Sequence, residues 1–266
     1  MKRFFELRGR LSRREKLLTE IAGIFLFLLI WYVIVASGFF QETILPSPEK
    51  ILFSFMDLYI EDALLQNTLH SIKLNLLGYI ESVAVSLPLG FLIGLIPLFR
   101  GLSERLISSL RYLPLTAAMG LFIAWFGIGT NMKVQFLSFG IIVYLLPVVI
   151  QRIDEVDDVY LHTIKTLGAT KWQTIKCVYM PSVISRVSDD IRVLVAISWT
   201  YIIIAELVNK TEGGIGALAY TAARQSRVDK VFAVLIIIVL IGFVQDKLFA
   251  TIDRVLFPYK RYANRV

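Results

Sequence analysis

Apolar residues along this chain come in blocks long enough to cross a bilayer, separated by shorter polar stretches. A helical crossing needs roughly 20 apolar residues at a rise of about 1.5 Å each. Six blocks approach that length: 17–37 (LLTEIAGIFLFLLIWYVIVAS), 74–98, 112–128, 134–151, 191–208 and 231–250. Pro114, Pro147 and several glycines interrupt the third and fourth. A bundle tolerates such breaks where neighbouring helices satisfy the freed backbone groups. The pattern predicts an all-α membrane protein with about six transmembrane helices. The first block exceeds the apolar core of a secretory signal, about 7–15 residues, and reads as a retained span.

The connections also carry pattern. The stretch 38–73 is net acidic and contains Leu45-Pro46-Ser47-Pro48, which breaks any helix entering it. Residues 49–66 then place Ile51, Leu52, Phe55, Leu58 and Tyr59 at helical spacing, predicting an amphipathic helix on one membrane face. Within 152–190, residues 156–167 carry an apolar stripe (Val156, Val159, Tyr160, Ile164, Leu167) that Gly168 should stop. Thr170 can cap a second helix over 171–180 (KWQTIKCVYM), and Pro181 is expected to break it. A folded loop of this kind reads as a docking element rather than an idle surface pair. The stretch 209–230 contains Gly213-Gly214-Ile215-Gly216, which permits a tight turn or a close backbone approach.

Composition sharpens this reading. The 266 residues are 56% apolar, against about 45–50% in soluble domains, and the mean hydropathy is +0.68. The net charge of +7 comes from Lys and Arg at block edges, a mark of topology rather than of a nucleic-acid surface. The tail 1–16 (MKRFFELRGRLSRREK) holds seven of them. With the 2–3 connection, the 4–5 connection and the C-terminal end, that side carries 21 and the opposite side seven. Both termini are therefore expected in the cytoplasm. The chain divides into a basic tail, 1–16, and a transmembrane domain, 17–266. That domain has a cytoplasmic loop at 152–190 and external loops at 38–73 and 209–230.

Candidate chemistry is sparse. Cys177 is the single cysteine, and no His/Asp set accompanies it. His70 and His162, the two histidines, fall on opposite sides of the predicted membrane, so no metal pair is expected. A membrane enzyme would need clustered His, Asp or Cys at membrane depth, and the sequence has no such cluster. No G-x-x-x-x-G-K-[ST] occurs, so the chain is expected to hold no nucleotide itself. Glu206 stands out near the outer end of the fifth block. A charge at the bilayer centre costs about 2.5 kcal/mol or more, so this carboxylate should face a polar cavity, a partner or the headgroups. Ser198, Thr200 and Asn209 are candidates, with Glu206, for lining a pathway. Ser86, Gly90 and Gly94 form a small-xxx-small pattern that implies close helix packing. Trp31, Trp125 and Trp199 read as interface or packing aromatics.

The loop at 152–190 resembles the cytoplasmic signature of binding-protein-dependent ABC importer permeases: E-A-A, three residues, Gly, nine residues, I-x-L-P. Gly168 fits the glycine, and Val178, Tyr179, Met180 and Pro181 fit the end with conservative changes. His162, Thr163 and Ile164 occupy the E-A-A positions, so that element is lost. LPSPEKIL at 45–52, LFIAWFGIGTNMK at 121–133, AELVNKTEGGIGALAYTA at 205–222 and the stretch 231–261 resemble the nitrate/sulfonate/taurine/bicarbonate subgroup.

The resemblance implies a type I ABC importer permease fold in the cell inner membrane. It implies a pathway between two permease subunits, identical ones being favoured. Two separate ATPase subunits would hold ATP and Mg. Each would receive the loop through His162, Thr163, Ile164, Gly168, Ala169, Trp172, Met180 and Pro181. An extracytoplasmic solute-binding protein would deliver a small oxyanion or sulfonate, with a pyrimidine or vitamin precursor as the alternative solute. The lost E-A-A residues leave open a repurposed scaffold, and the retained Gly168-to-Pro181 spacing argues against it. Asp154, Glu155, Asp157 and Asp158 lie upstream and either replace the lost acid or form a solvated face.

Overall fold

The computed structural model describes residues 9, 11–210 and 212–260. Most of the basic tail 1–16, together with Arg261 and Arg265 of the C-terminal charge count, lies outside the described residues. In chain order the helices are α1 (Arg13–Ala36), α2 (Pro48–Ile60), α3 (Leu64–Leu95), α4 (Pro97–Leu110), α5 (Leu115–Phe126), α6 (Thr130–Asp154), α7 (Asp158–Thr166), α8 (Lys171–Thr174), a π turn (Ile175–Tyr179), α9 (Met180–Val208), α10 (Ile215–Arg224) and α11 (Val228–Leu256). Among the described residues, five helical runs are long and apolar enough to cross a membrane, and six if α4 and α5 count as one bent span. Element α2 sits at one end of the bundle and α7 at the other.

Helix starts follow local chemistry. Ser12 caps α1 in a reciprocal capping box with Glu15, so the first span begins ahead of residue 17. Ser47 caps α2, and Pro48 occupies its first turn, where no N–H is required. The amphipathic helix expected over 49–66 stops at Ile60, because Ala63 adopts a left-handed conformation that separates α2 from α3. It turns Ile51 and Leu58 inward and leaves Leu52 and Tyr59 exposed.

Two sequence expectations are corrected. The block at 112–128 is not a full span by itself. Its helix, α5, has 12 residues, about 18 Å at 1.5 Å per residue, and meets α4 at 109°. Pro114 just before α5 disfavours a helical Leu113, which breaks the pair. Nor does Pro181 end the second loop helix. Lys171 to Val208 form one continuous run of 38 residues, about 57 Å long. Pro181 lies in the first turn of α9, directly after the π turn Ile175–Tyr179. The wider turn absorbs the mismatch that a proline imposes on the preceding carbonyls.

The core lies where α3, α6 and α9 meet, around Leu74, Leu137, Ile141, Leu145, Val149, Val187 and Ile202. Small residues bring α3 against α6. A Cβ on Gly90 would lie 2.4 Å from Val149, and one on Gly94 would lie 2.6 Å from Ile153. The small-residue pattern is thus an intrasubunit seam. Trp199 is buried and donates to Gln245 at 2.6 Å, while Trp31 donates to the Pro46 carbonyl at 3.2 Å and packs on Phe232. Trp125 is exposed. Apart from this contact near Trp31, α1 stands away from the core and buries no residue.

Candidate functional site

Two regions carry the chemistry. The first is the corner between α7 and α8. Asp157 caps α7 by accepting from the Val159 N–H at 2.9 Å. Gly168 ends that helix with φ +74°, the left-handed geometry that suits glycine. Thr170 and Gln173 then form a capping box at the start of α8. His162, Thr163, Gly168, Trp172, Met180 and Pro181 are exposed, while Ile164 and Ala169 are half-buried. Val159, Tyr160, Leu167 and Trp172 leave large apolar surfaces uncovered at this corner.

The acidic run upstream has structural partners. Asp154 takes both arms of Arg100 from α4, at 2.7 and 2.5 Å. Arg152 clamps Asp190 of α9 with two 2.7 Å hydrogen bonds and reaches Glu155 at 2.6 Å. The Arg152 guanidinium is the main reason that the Glu155 carboxyl is held below the usual range. On the far side of α9, Arg192 pairs bidentately with Asp246 of α11. The α7 end of the bundle is therefore tied across α4, α6, α9 and α11. Planar guanidinium–carboxylate pairs fix orientation as well as distance, so α9 cannot shift there without disturbing its neighbours.

The second region lies at the opposite end of the same helical run. Glu206 is fully buried. Its carboxylate accepts from the Ser71 hydroxyl and from the Gly216 N–H, the latter at 2.7 Å. Ser71 in turn accepts from the Ile215 N–H at 2.8 Å, and Asn67 accepts from the Gly214 N–H at 2.7 Å. Three side chains from α3 and α9 thus satisfy the first N–H groups of α10, which helix geometry leaves unpaired. Gly213 (φ +78°) and Gly214 (φ +113°) make the turn, and a Cβ on Gly214 would lie 2.3 Å from the Glu206 carboxyl carbon.

The four pathway candidates do not share a surface. Ser198 is buried, accepting from the Asn75 amide at 2.9 Å, and Glu206 is enclosed by the glycine turn. Thr200 is exposed, and Asn209 is buried at the C-terminal cap of α9. Sequence reasoning missed Asn67, Ser71, Asn75 and Ser82. Their spacing of mostly four residues continues the Ser86, Gly90, Gly94 stripe and could have revealed them. It also missed Glu81, which accepts from Gln135 at 3.0 Å inside a span, and the pair Lys133–Glu212 at 3.2 Å.

Comparison with known proteins fits this architecture. Residues 86–257 match the family model described as the binding-protein-dependent transport system inner membrane component. A putative ABC transporter permease of Methanocaldococcus jannaschii is 31% identical over 93% of this chain and 94% of its own. The taurine transport system permease protein TauC of Escherichia coli is 24% identical over 95% of this chain and 92% of its own. The inward-facing MetNI methionine ABC transporter shares the fold, with a TM-score of 0.61 and 16% identity over 74% of this chain and 97% of that one. The chain belongs to the family of binding-protein-dependent transport system inner membrane components, and it is a multi-pass, membrane-spanning permease subunit of an ATP-driven ABC importer.

Proposed function

We propose that two copies of this chain form the pathway for a small oxyanion or sulfonate. An ATPase subunit docks on the α7–α8 corner of each copy, on the cytoplasmic side with both termini, and an extracytoplasmic binding protein delivers the solute. The observation that carries the coupling is the unbroken helical run Lys171–Val208. One end bears the exposed apolar corner with Trp172, and the other holds Glu206 in the glycine clamp. A displacement applied at the corner therefore reaches the far end of the bundle through one helix, with α6 and α11 locked to it by paired guanidiniums. Ile164, Gly168, Ala169 and Trp172 supply shape and apolar contact in place of an acidic E-A-A element. The similarity to the taurine permease along nearly the whole chain supports the solute class, as does the excess of Lys and Arg for the orientation.

The test is reconstitution of the chain with its cognate ATPase and binding protein in proteoliposomes. ATP-dependent uptake is measured for taurine, an alkylsulfonate, nitrate and bicarbonate, with thiamine and pyrimidine precursors in parallel. Uptake of one of the four anionic or sulfonate solutes is expected. Uptake confined to the precursors would overturn the solute assignment, and assembly without any ATPase would overturn the docking assignment.

A further inference from the structure

Lys133 and Glu212 form a pair with an unusual division of exposure. The Lys133 side chain is completely shielded, whereas Glu212 is one-third exposed. Glu212 is the one ion-pair partner of Lys133 among the described residues, at 3.2 Å, and no acceptor meets the Lys133 ammonium in good hydrogen-bond geometry. The same Glu212 oxygen accepts from the Thr130 hydroxyl at 3.3 Å. Two further groups share the field of Lys133. The buried His70 Nε2 has no hydrogen-bond partner and interacts electrostatically with both Lys133 and Glu212. The Glu206 carboxylate also feels Lys133, but it is engaged by Ser71 and Gly216.

The two partners differ in how they are held. Lys133 projects from α6, the most deeply packed helix, whereas Glu212 stands in the turn between α9 and α10, next to the left-handed Gly213. A buried ammonium requires a counter-anion, because desolvating an unpaired charge is costly. If the turn shifts and Glu212 leaves, another anion must replace it. Thr130 also lines an open cavity of about 610 Å³ with Leu77, Ile80, Glu81, Val134 and Gln135, although neither Lys133 nor Glu212 lines it, so an anion would reach Lys133 past Thr130 only once the turn has moved.

We propose that Lys133 and Thr130 form an anion-receiving site, and that the Glu212 carboxylate is its resident occupant, displaced by the oxyanion head of an arriving solute. This assignment rests on the solute class proposed above. A sulfonate or sulfate presents several oxygens on one centre, enough to accept from the Lys133 ammonium and the Thr130 hydroxyl together.

The permease–ATPase complex, held in lipid nanodiscs, tests this through equilibrium binding of radiolabelled taurine and radiolabelled sulfate. Removing the internal competitor by Glu212→Gln is expected to tighten binding by about tenfold, since apparent affinity scales with the fraction of open sites. Lys133→Gln should abolish binding, and Lys133→Arg should retain it. Size-exclusion chromatography verifies that each variant stays assembled. Unchanged or weaker binding in Glu212→Gln, as expected of a mere staple for the turn, would overturn the proposal, as would undiminished binding in Lys133→Gln. Binding of taurine without sulfate would identify an organic sulfonate as the source, and binding of both would identify the shared head group. Absence of binding alongside intact sulfonate uptake overturns this site alone. The expected binding pattern without uptake overturns the solute assignment alone.

Discussion

Replacing Gly214 by alanine should do far more damage than the same change at Gly168, although both glycines have positive φ. At Gly168 (φ +74°) an added Cβ meets nothing within 4 Å, so the cost is left-handed strain of about 1–2 kcal/mol. At Gly214 (φ +113°, ψ 160°) the backbone occupies a region almost confined to glycine, a strain of about 1–3 kcal/mol. The added Cβ would also sit 2.3 Å from the Glu206 carboxyl carbon and 2.4 and 2.7 Å from its oxygens. The carboxylate must then leave Ser71 and Gly216, losing two charged hydrogen bonds of about 1.5–3 kcal/mol each. Taking the low end of every contribution gives about 4 kcal/mol. At about 2–4 °C per kcal/mol for a chain of this size, Gly214→Ala should melt roughly 10 °C lower. Gly168→Ala should fall by only a few degrees. Fluorescence-detected size exclusion of the detergent-solubilised protein after a temperature series measures both. A double variant sharpens the test: Glu206→Ala should cost little more once Gly214→Ala has already displaced the carboxylate. Equal melting of the two alanine variants, or simple additivity in the double variant, would refute the clamp.

Other outcomes follow from the same geometry. Glu206→Leu leaves the Ser71 hydroxyl and the Gly216 N–H facing apolar carbon, and should cost about 3 kcal/mol or more, whereas Glu206→Gln should cost about half as much because it keeps an acceptor; thermal melting ranks the two. Arg152→Gln removes a two-armed tie between α6 and α9 at a site only about one-quarter exposed, and should lower stability by about 1–2 kcal/mol. In proteoliposomes the same variant should hydrolyse ATP with reduced uptake per ATP; unchanged coupling would mean that the tie transmits nothing. Gly168→Trp should still insert, because that corner is open, and melt a few degrees lower from the left-handed strain at φ +74°, like Gly168→Ala, yet unlike Gly168→Ala it should lose ATP-driven uptake; normal uptake would remove the corner from the docking surface.

Much of this architecture was legible in advance because it depends on local rules. Block length reveals the spans. The Thr170 cap, the Gly168 stop and the glycine turn each depend on the chemistry of a few adjacent residues. The misreadings came where a neighbour overrides the local rule. Pro181 reads as a break, and a π turn before it keeps the helix continuous. The block at 112–128 reads as a full span, although Pro114 leaves a 12-residue helix that meets α4 at a sharp angle, and how far the pair bends is not written in the block's hydropathy.

By itself the sequence determined that the chain crosses a membrane several times, where its loop helices start, and which family its loop resembles. Those facts follow from hydropathy, capping and spacing, which act over a few residues. Only the tertiary structure decided the partners of the polar groups. Glu206 sits 135 residues from Ser71, and Lys133 lies far along the chain from Glu212. A carboxylate in a span must find a partner, but which one is set by how α3, α6 and α9 pack. That is why Glu206 could be flagged as costly from the sequence and recognised as the clamp of the glycine turn only from the fold.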